Sequence, residues 1–247
     1  MAIVSSTRGI VLKSVKYGET SLIVTMYTAL YGLQAYLVNG VRTFTKKGPG
    51  RAALFQPAAI LDLTVYHNEL KNLQRIREFR WAHLYQHIYS SVFKNAVALF
   101  MVELMNKLIR QPEKNPDLFD FAEDAFLSLD DSGPAVVANF PLFFALHLAE
   151  ISGFLFADEY TDEKNFLDLQ EGKFINEQPV HPYFLAGTYS LATSQLIQAR
   201  HPSELSGILL NQETRRVLLA AYSQFFTLHV PDFGIMKTLP VLQEVLG

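Results

Sequence analysis

Between Gly9 and Phe79 apolar residues recur at every second position in short runs, separated by glycines or polar clusters. That pattern marks half-buried strands. Ile10 and Leu12 alternate with Val11 and Lys13. In Ser21–Tyr27, Leu22, Val24 and Met26 share one face, with Ile23, Thr25 and Tyr27 on the other. Gly32 ends that run. Leu33, Ala35 and Leu37 then share a face, opposite Gln34, Tyr36 and Val38. Ala53–Tyr66 is long and apolar, and Pro57 inside it favours an edge or a bulge. His67–Asn72 reads as a turn. Leu73–Phe79 is the fifth run, with Arg75 and Arg77 on one face. Five short strands fit an OB-type barrel, whose exposed face and loops bind oligonucleotides. An SH3-like barrel would give a similar string, and spacing alone does not choose.

At Arg80-Trp81 the period changes. Residues 82–110 carry Val97, Phe100, Met101, Leu104, Met105 and Leu108 at helical spacing, with Lys107 and Arg110 in the last turn. Asp117–Leu129 is a second predicted helix. Asp130–Pro134 reads as a solvated loop. Ala135–Ser152 is a third helix, with Pro141 expected to kink it or move its start and Gly153 as the C′ residue. Helices follow at Tyr183–Arg200, Glu204–Leu210, from Asn211 as N-cap to His229, and at Thr238–Val245. Phe154–Pro182 breaks the periodicity. It is acidic and reads as an irregular insertion, with a short hairpin around Gly172. The chain is therefore expected to be α+β, with a barrel over 1–80 and an all-helical domain over 81–247 that carries the insertion at about 154–182.

Charge sharpens that division. Residues 1–80 hold 11 Lys/Arg against 4 Asp/Glu, net +7, and the rest hold 10 against 20, net −10. Such asymmetry suggests a nucleic-acid-binding part joined to something else. Nearly half of the 247 residues are hydrophobic and 18% are charged, the composition of a well-packed soluble protein. No apolar run was expected to span a bilayer and Met1–Arg8 lacks a signal-peptide core, so the expected location is cytoplasmic. With no cysteine, disulfides, thiol catalysis and thiolate metal sites are excluded.

Chemistry-bearing motifs are sparse. Of seven histidines only His83 and His87 have the i,i+4 spacing that can hold a metal from one helix face, and no nearby acid completes a site. They read as helix-surface residues, and His147 as a core residue. There is no P-loop, GxSxG or dinucleotide fingerprint. The basic cluster is the strongest signal. Lys46, Lys47 and Arg51 surround Gly48-Pro49-Gly50, and Lys13, Lys16, Arg42, Arg75 and Arg77 extend one loop into a surface. On an OB barrel such cations track the phosphates while aromatics stack bases. Tyr36 and Phe44 are the stacking candidates, with core packing as the alternative.

Arg8-Gly9-Ile-Val-Leu, Tyr17-Gly18-Glu19-Thr-Ser-Leu-Ile-Val, Tyr31-Gly32-Leu and Asn39-Gly40-Val-Arg42 resemble the N-terminal barrel of the bacterial recombination mediator RecO. Ala53-Leu-Phe-Gln-Pro57, Leu73-Gln-Arg75-Ile-Arg77-Glu-Phe and the tail His229-Val-Pro-Asp-Phe-Gly234-Ile-Met-Lys237-Thr-Leu-Pro-Val-Leu resemble its Bacteroidetes-like branch. The resemblance implies an OB fold followed by a helical domain. It implies binding of single- and double-stranded DNA, annealing of complementary strands, and loading of recombinase onto DNA coated by single-strand-binding protein. The implied partners are RecR and the acidic, hydrophobic C-terminal tail of that protein, with a cytoplasmic, nucleoid-associated location and no enzymatic activity. Many members carry a four-cysteine zinc element in the helical domain. Here the acidic 154–182 stretch takes its place, so neither metal nor other cofactor is expected.

A tail of acids ending in an apolar residue needs an apolar pocket rimmed by cations. Lys107 and Arg110, beside Leu104 and Leu108, are the first candidates. Arg215 and Arg216 come next, then Arg200. An OB-type RNA-binding protein and a helical interaction scaffold that binds no nucleic acid remain the alternative readings.

Overall fold

The structure is a computed structural model that describes residues 3–42, 51–154 and 156–246. It divides into two compact units, one of residues 1–86 with 109–126 and one of 87–108 with 127–247.

The first unit is a closed barrel in the order β1-β2-β3-β5-β4. β1 (Ile3–Tyr17) is 15 residues long and serves two neighbours. Its first half pairs antiparallel with β4 (Ile60–His67), from Ile3↔His67 to Ile10↔Ile60. Its second half pairs with β2 (Ser21–Thr28), from Gly9↔Thr28 to Tyr17↔Ser21. Gly9 sits where the two pairings overlap, and a Cβ there would lie 3.1 Å from both Leu63 Cδ1 and Met26 Cε. The register with β2 steps from Val11↔Met26 to Lys13↔Thr25, so Leu12 is an extra residue in a bulge. The bulge explains why Ile10, Val11 and Leu12 are all buried although simple alternation predicts otherwise.

β3 (Gly32–Val38) pairs with β2 through Val24↔Tyr36 and Leu22↔Val38. Directly opposed residues share a face. Inward Leu22 and Val24 therefore bring Val38 and Tyr36 inward, and Leu33, Ala35 and Leu37 are only half-buried. β5 (Leu73–Trp81) pairs antiparallel with β4 and parallel with β3, through Ala35↔Leu73 and Leu37↔Arg75. This closure is that of an OB barrel, and it settles the choice that strand spacing left open. The expected long run at Ala53–Tyr66 is split. A 3-10 turn at Arg51–Phe55 puts Phe55 into the barrel core, Pro57 lies in the connection, and β4 begins only at Ile60. Residues 109–126 belong to this unit as well, so a contiguous boundary at 80/81 does not describe the packing. The Tyr27 hydroxyl donates to the Asn115 carbonyl at 3.3 Å, and its ring lies 6.2 Å from Phe119.

The second unit is built around α3 (Pro134–Ile151), with α1 (Val92–Leu108), α4 (Thr188–Gln198) and α5 (Gln212–His229) packed on it and α6 (Thr238–Val245) on α1. α3 is apolar on nearly all sides, as a central helix must be. At 18 residues it is long and apolar enough to cross a membrane, contrary to the sequence expectation, but 72% of it is buried inside the protein, where it forms the core. Pro134 opens it at the first turn and Pro141 is accommodated without ending it. Gly153 (φ 85) closes it: its N–H donates to Glu150 and that of Phe154 to Ala149, a Schellman pair. His147 is 7% exposed, and burial holds its pKa below the ordinary range.

Two elements depart from the sequence pattern. α1 starts at Val92, ten residues later than expected, so His83 and His87 precede it rather than lie on its face. Asp130, expected in a solvated loop, is 1% exposed at the end of α2 (Pro116–Asp131). Its Oδ1 accepts the backbone N–H groups of His87 and Ile88, each at 2.8 Å, which gives those two donors the partners that a helix would otherwise supply. The acidic insertion is not irregular. β6 (Phe166–Asp168), β7 (Lys173–Ile175) and β8 (Phe184–Ala186) form a sheet in the order β7-β6-β8, with the hairpin at Gly172, so the second unit is not all-helical.

Gly9→Val should lower the unfolding free energy by about 1–3 kcal/mol, the usual cost of overpacking a filled interior. Urea denaturation measures it, and an unchanged midpoint would mean that the β1 crossover has room to relax.

Candidate nucleic-acid interface

β1 outruns its pairing with β4, which ends at Ile10↔Ile60. From there to Tyr17 it pairs with β2, which pairs on its other side with β3, and this edge exposes Lys13, Lys16, Val15 (48%) and Tyr17 (53%). The β1–β2 hairpin turns at Gly18 (φ 57), a conformation that glycine adopts without strain. Arg42 holds this turn. Its backbone N–H donates to the Thr20 carbonyl and its guanidinium to the Gly18 carbonyl, both at 3.0 Å. Arg42 is therefore held at this turn, which also carries Glu19, with Lys16 and Lys13 preceding it along β1.

Arg51 and Arg77 line a different surface, an open groove shared with Arg8 and Arg80. Four carboxylates line it too, those of Asp62, Glu78, Asp120 and Glu123. Arg8 reaches Glu123 at 2.8 Å and Asp62 at 3.5 Å, and the Glu123 hydrogen bond raises its pKa further. Arg80 pairs with Asp62 at 3.1 Å and Arg77 with Glu78 at 3.5 Å. Arg51 stacks over the Phe79 ring at 4.2 Å. Exposed pairs of this kind add little stability, about 0–1 kcal/mol each. Their larger effect is to lower the positive potential that a phosphate would meet.

Arg75 is separated from Arg77 by the barrel's second bulge. The β4–β5 register steps from Thr64↔Glu78 to Val65↔Ile76, leaving Arg77 without a partner across the ladder. Arg75 faces a depression with Tyr66, Asn68, Lys71, Leu73 and Gln74, which has no carboxylate in its lining. Lys71 and Tyr66 were not singled out from the sequence. Lys71 sits in the expected turn, and Tyr66 ends an apolar strand that reads as core. Its 38% exposure is apparent only once β4 is placed at its length.

The stacking candidates need correction. Tyr36 is 0% exposed in the barrel core, where burial pushes its phenol above the ordinary range, so its ring offers no face to a base. Phe44, Lys46 and Lys47 lie outside the described residues.

In the second unit, Lys107 donates to the Phe233 carbonyl and lies 5.0 Å above the Phe233 ring, which ties α1 to the turn before α6. Arg110 is exposed and belongs to the first unit, so the two do not share one unit. Arg215 and Arg216 line a crevice with Ala138, Leu219, Leu242, Gln243 and Leu246. Arg215 donates to the Leu210 carbonyl at 2.6 Å, and burial lowers its pKa, while Arg216 is exposed at the rim.

A zinc site of the kind many mediators carry does not fit. The chain has no cysteine, and among the described residues no group of three or more His, Asp or Glu is placed to hold a metal ion. Asp168 fixes the small sheet of the second unit. Its Oδ1 accepts the Gln170 and Glu171 N–H groups, and its Oδ2 lies 3.2 Å from His181 Nε2.

Comparison with known proteins agrees with this architecture. Residues 1–85 match the family model "Recombination protein O N terminal" and residues 89–157 match "Recombination protein O C terminal". The chain is 32% identical over 242 residues to DNA repair protein RecO of Bacteroides fragilis, covering 97% of this chain and 98% of that protein. It is 31% identical to the protein of that name from Flavobacterium psychrophilum and 27% identical to that of Phocaeicola vulgatus, with 98% of each chain covered in both cases. A closed OB barrel joined to a helical unit, matched along nearly its whole length, places this chain in the recombination protein O family.

Proposed function

We propose that this chain acts in DNA repair as a recombination mediator without enzymatic activity. In this reading it binds single- and double-stranded DNA, anneals complementary strands, and helps to load recombinase onto DNA coated by single-strand-binding protein. RecR and the C-terminal tail of the single-strand-binding protein are its partners, and it works at the nucleoid. The observation that carries the reading is the OB barrel's two places where cations outnumber acids, the β1–β2 edge and turn with Lys13, Lys16 and Arg42 beside Glu19, and the β4–β5 turn with Lys71 and Arg75 beside Glu69. The pair-rich groove of Arg8, Arg51, Arg77 and Arg80 contributes less, because its cations already face carboxylates.

Two measurements test it. Purified protein should speed annealing of complementary strands, both bare and coated with single-strand-binding protein, and a chain that leaves both rates unchanged is not a mediator. Phosphate contacts release counterions, so log K should fall linearly with log salt, with a single-strand slope of roughly −3 to −4 for about four to six contacts. Replacing Lys13, Lys16 and Arg75 together by Gln should flatten that slope by about 2. An unchanged slope in the folded variant would remove those three from the interface.

For the partner tail, Lys107 is committed to Phe233, which favours the Arg215–Arg216 crevice with its leucine walls. Arg216→Glu should weaken a tail peptide by a few kcal/mol through like-charge repulsion, chiefly by slowing association, and leave DNA affinity intact. Full tail binding by Arg216→Glu, together with loss in a Lys107→Glu/Arg110→Glu variant, would return the site to the end of α1.

A further inference from the structure

The turn between β4 and β5 presents an apolar side chain to solvent on a rigid base. Leu70, at its tip, is 94% exposed. A single exposed leucine needs no explanation by itself, but this one stands on a turn built to hold still. Gln74, 3% exposed, accepts the Asn68 N–H on Oε1 at 2.9 Å and donates through Nε2 to the Asn68 and Lys71 carbonyls at 2.9 and 2.5 Å. The Asn68 side chain accepts the Leu70 N–H at 3.0 Å, and the Lys71 N–H closes back on the Asn68 carbonyl at 3.0 Å. A buried amide thus fixes both strands of the turn.

Beside the tip lies the depression of Tyr66, Leu73, Lys71 and Arg75, about 490 Å³ in volume. Tyr66 and Leu73 are each 38% exposed, and the two cations sit with them. The turn's one acid, Glu69, lines a second depression, which Lys71 and Gln74 also line, and is not in the lining of this one. Apolar surface next to cations is complementary to a ligand that alternates flat apolar rings with negative charges. Single-stranded nucleic acid has that composition. A duplex offers its phosphates but keeps its base faces stacked inside.

We propose that the β4–β5 turn is a base-contact element for single-stranded DNA, in which a base stacks on Tyr66, Leu70 packs against its neighbour, and Lys71 and Arg75 take the intervening phosphates. This rests on the DNA-binding reading above and supplies the stacking platform that Tyr36, buried in the core, does not. It also gives the barrel a means to prefer unpaired strands, since Leu70 and Tyr66 find partners only where bases are unstacked.

The test compares a fluorescently labelled single strand and a duplex of the same length, using the full chain. Tyr66→Ala/Leu70→Ser should weaken single-strand binding about tenfold, within the range for loss of one stacked base. Duplex affinity and the single-strand salt slope should stay unchanged, because no charge is removed. Tyr66→Phe, which keeps the ring, should bind as wild type. In a strand carrying 2-aminopurine, wild type should change the probe's emission and the double variant should not. Equal losses on both DNAs, or no loss on the single strand, would overturn the proposal. So would an intact single-strand affinity with loss of a partner protein, since the turn would then be a protein contact. If wild type binds neither DNA, the reading beneath the proposal fails first.

Discussion

A closed sheet of five strands needs one strand that bonds two neighbours along different parts of its length. β1 meets that need with its 15 residues, and Gly9 allows the change of partner because no side chain stands where Leu63 and Met26 converge. The features that bear on DNA follow from this. β1 runs on past its pairing with β4, and that edge exposes Lys13 and Lys16. β5 must close the barrel against β3 with its first residues, Leu73 to Arg75. That fixes where the preceding turn projects and puts Arg75 beside it.

The charge of the barrel region reads differently once the chain is folded. The first 80 residues are net +7, but the first unit also takes in 109–126, which brings 2 cations and 5 acids and lowers the unit to +4. Glu123, one of those acids, pairs with Arg8. Charge counted along the sequence therefore overstates the field at one groove. The lining of the β4–β5 depression holds no acid, so Lys71 and Arg75 meet no carboxylate within it.

Much of this architecture was legible. Alternation located five strands, Asn211 and Gly153 marked helix ends that the structure places at those residues, and Thr238–Val245 was read at its full length. The failures are of one physical kind. Whether Tyr36 or Leu37 faces the core depends on which β2 residue lies opposite, and a strand's own pattern does not contain its partner's register. Asp130 resembles half of a solvated acid pair until the backbone donors of His87 and Ile88, some forty positions earlier, are folded against it. The bulges at Leu12 and Arg77 shift faces by one residue without any local signal. The basic loop of Lys46 and Lys47 lies outside the described residues.

The small sheet pinned by Asp168 has a chemical consequence. Thiolate-bound metal is a target for peroxide, which carries cysteine sulfur up the oxidation ladder and releases the ion. Here a carboxylate, backbone amides and a histidine hold the small sheet, and no thiol exists anywhere in the chain. The remaining oxidisable sulfurs are thioethers, and Met26, Met101, Met105 and Met236 are each 3% exposed or less. An oxidant that breaks DNA would find almost no accessible sulfur among the described residues.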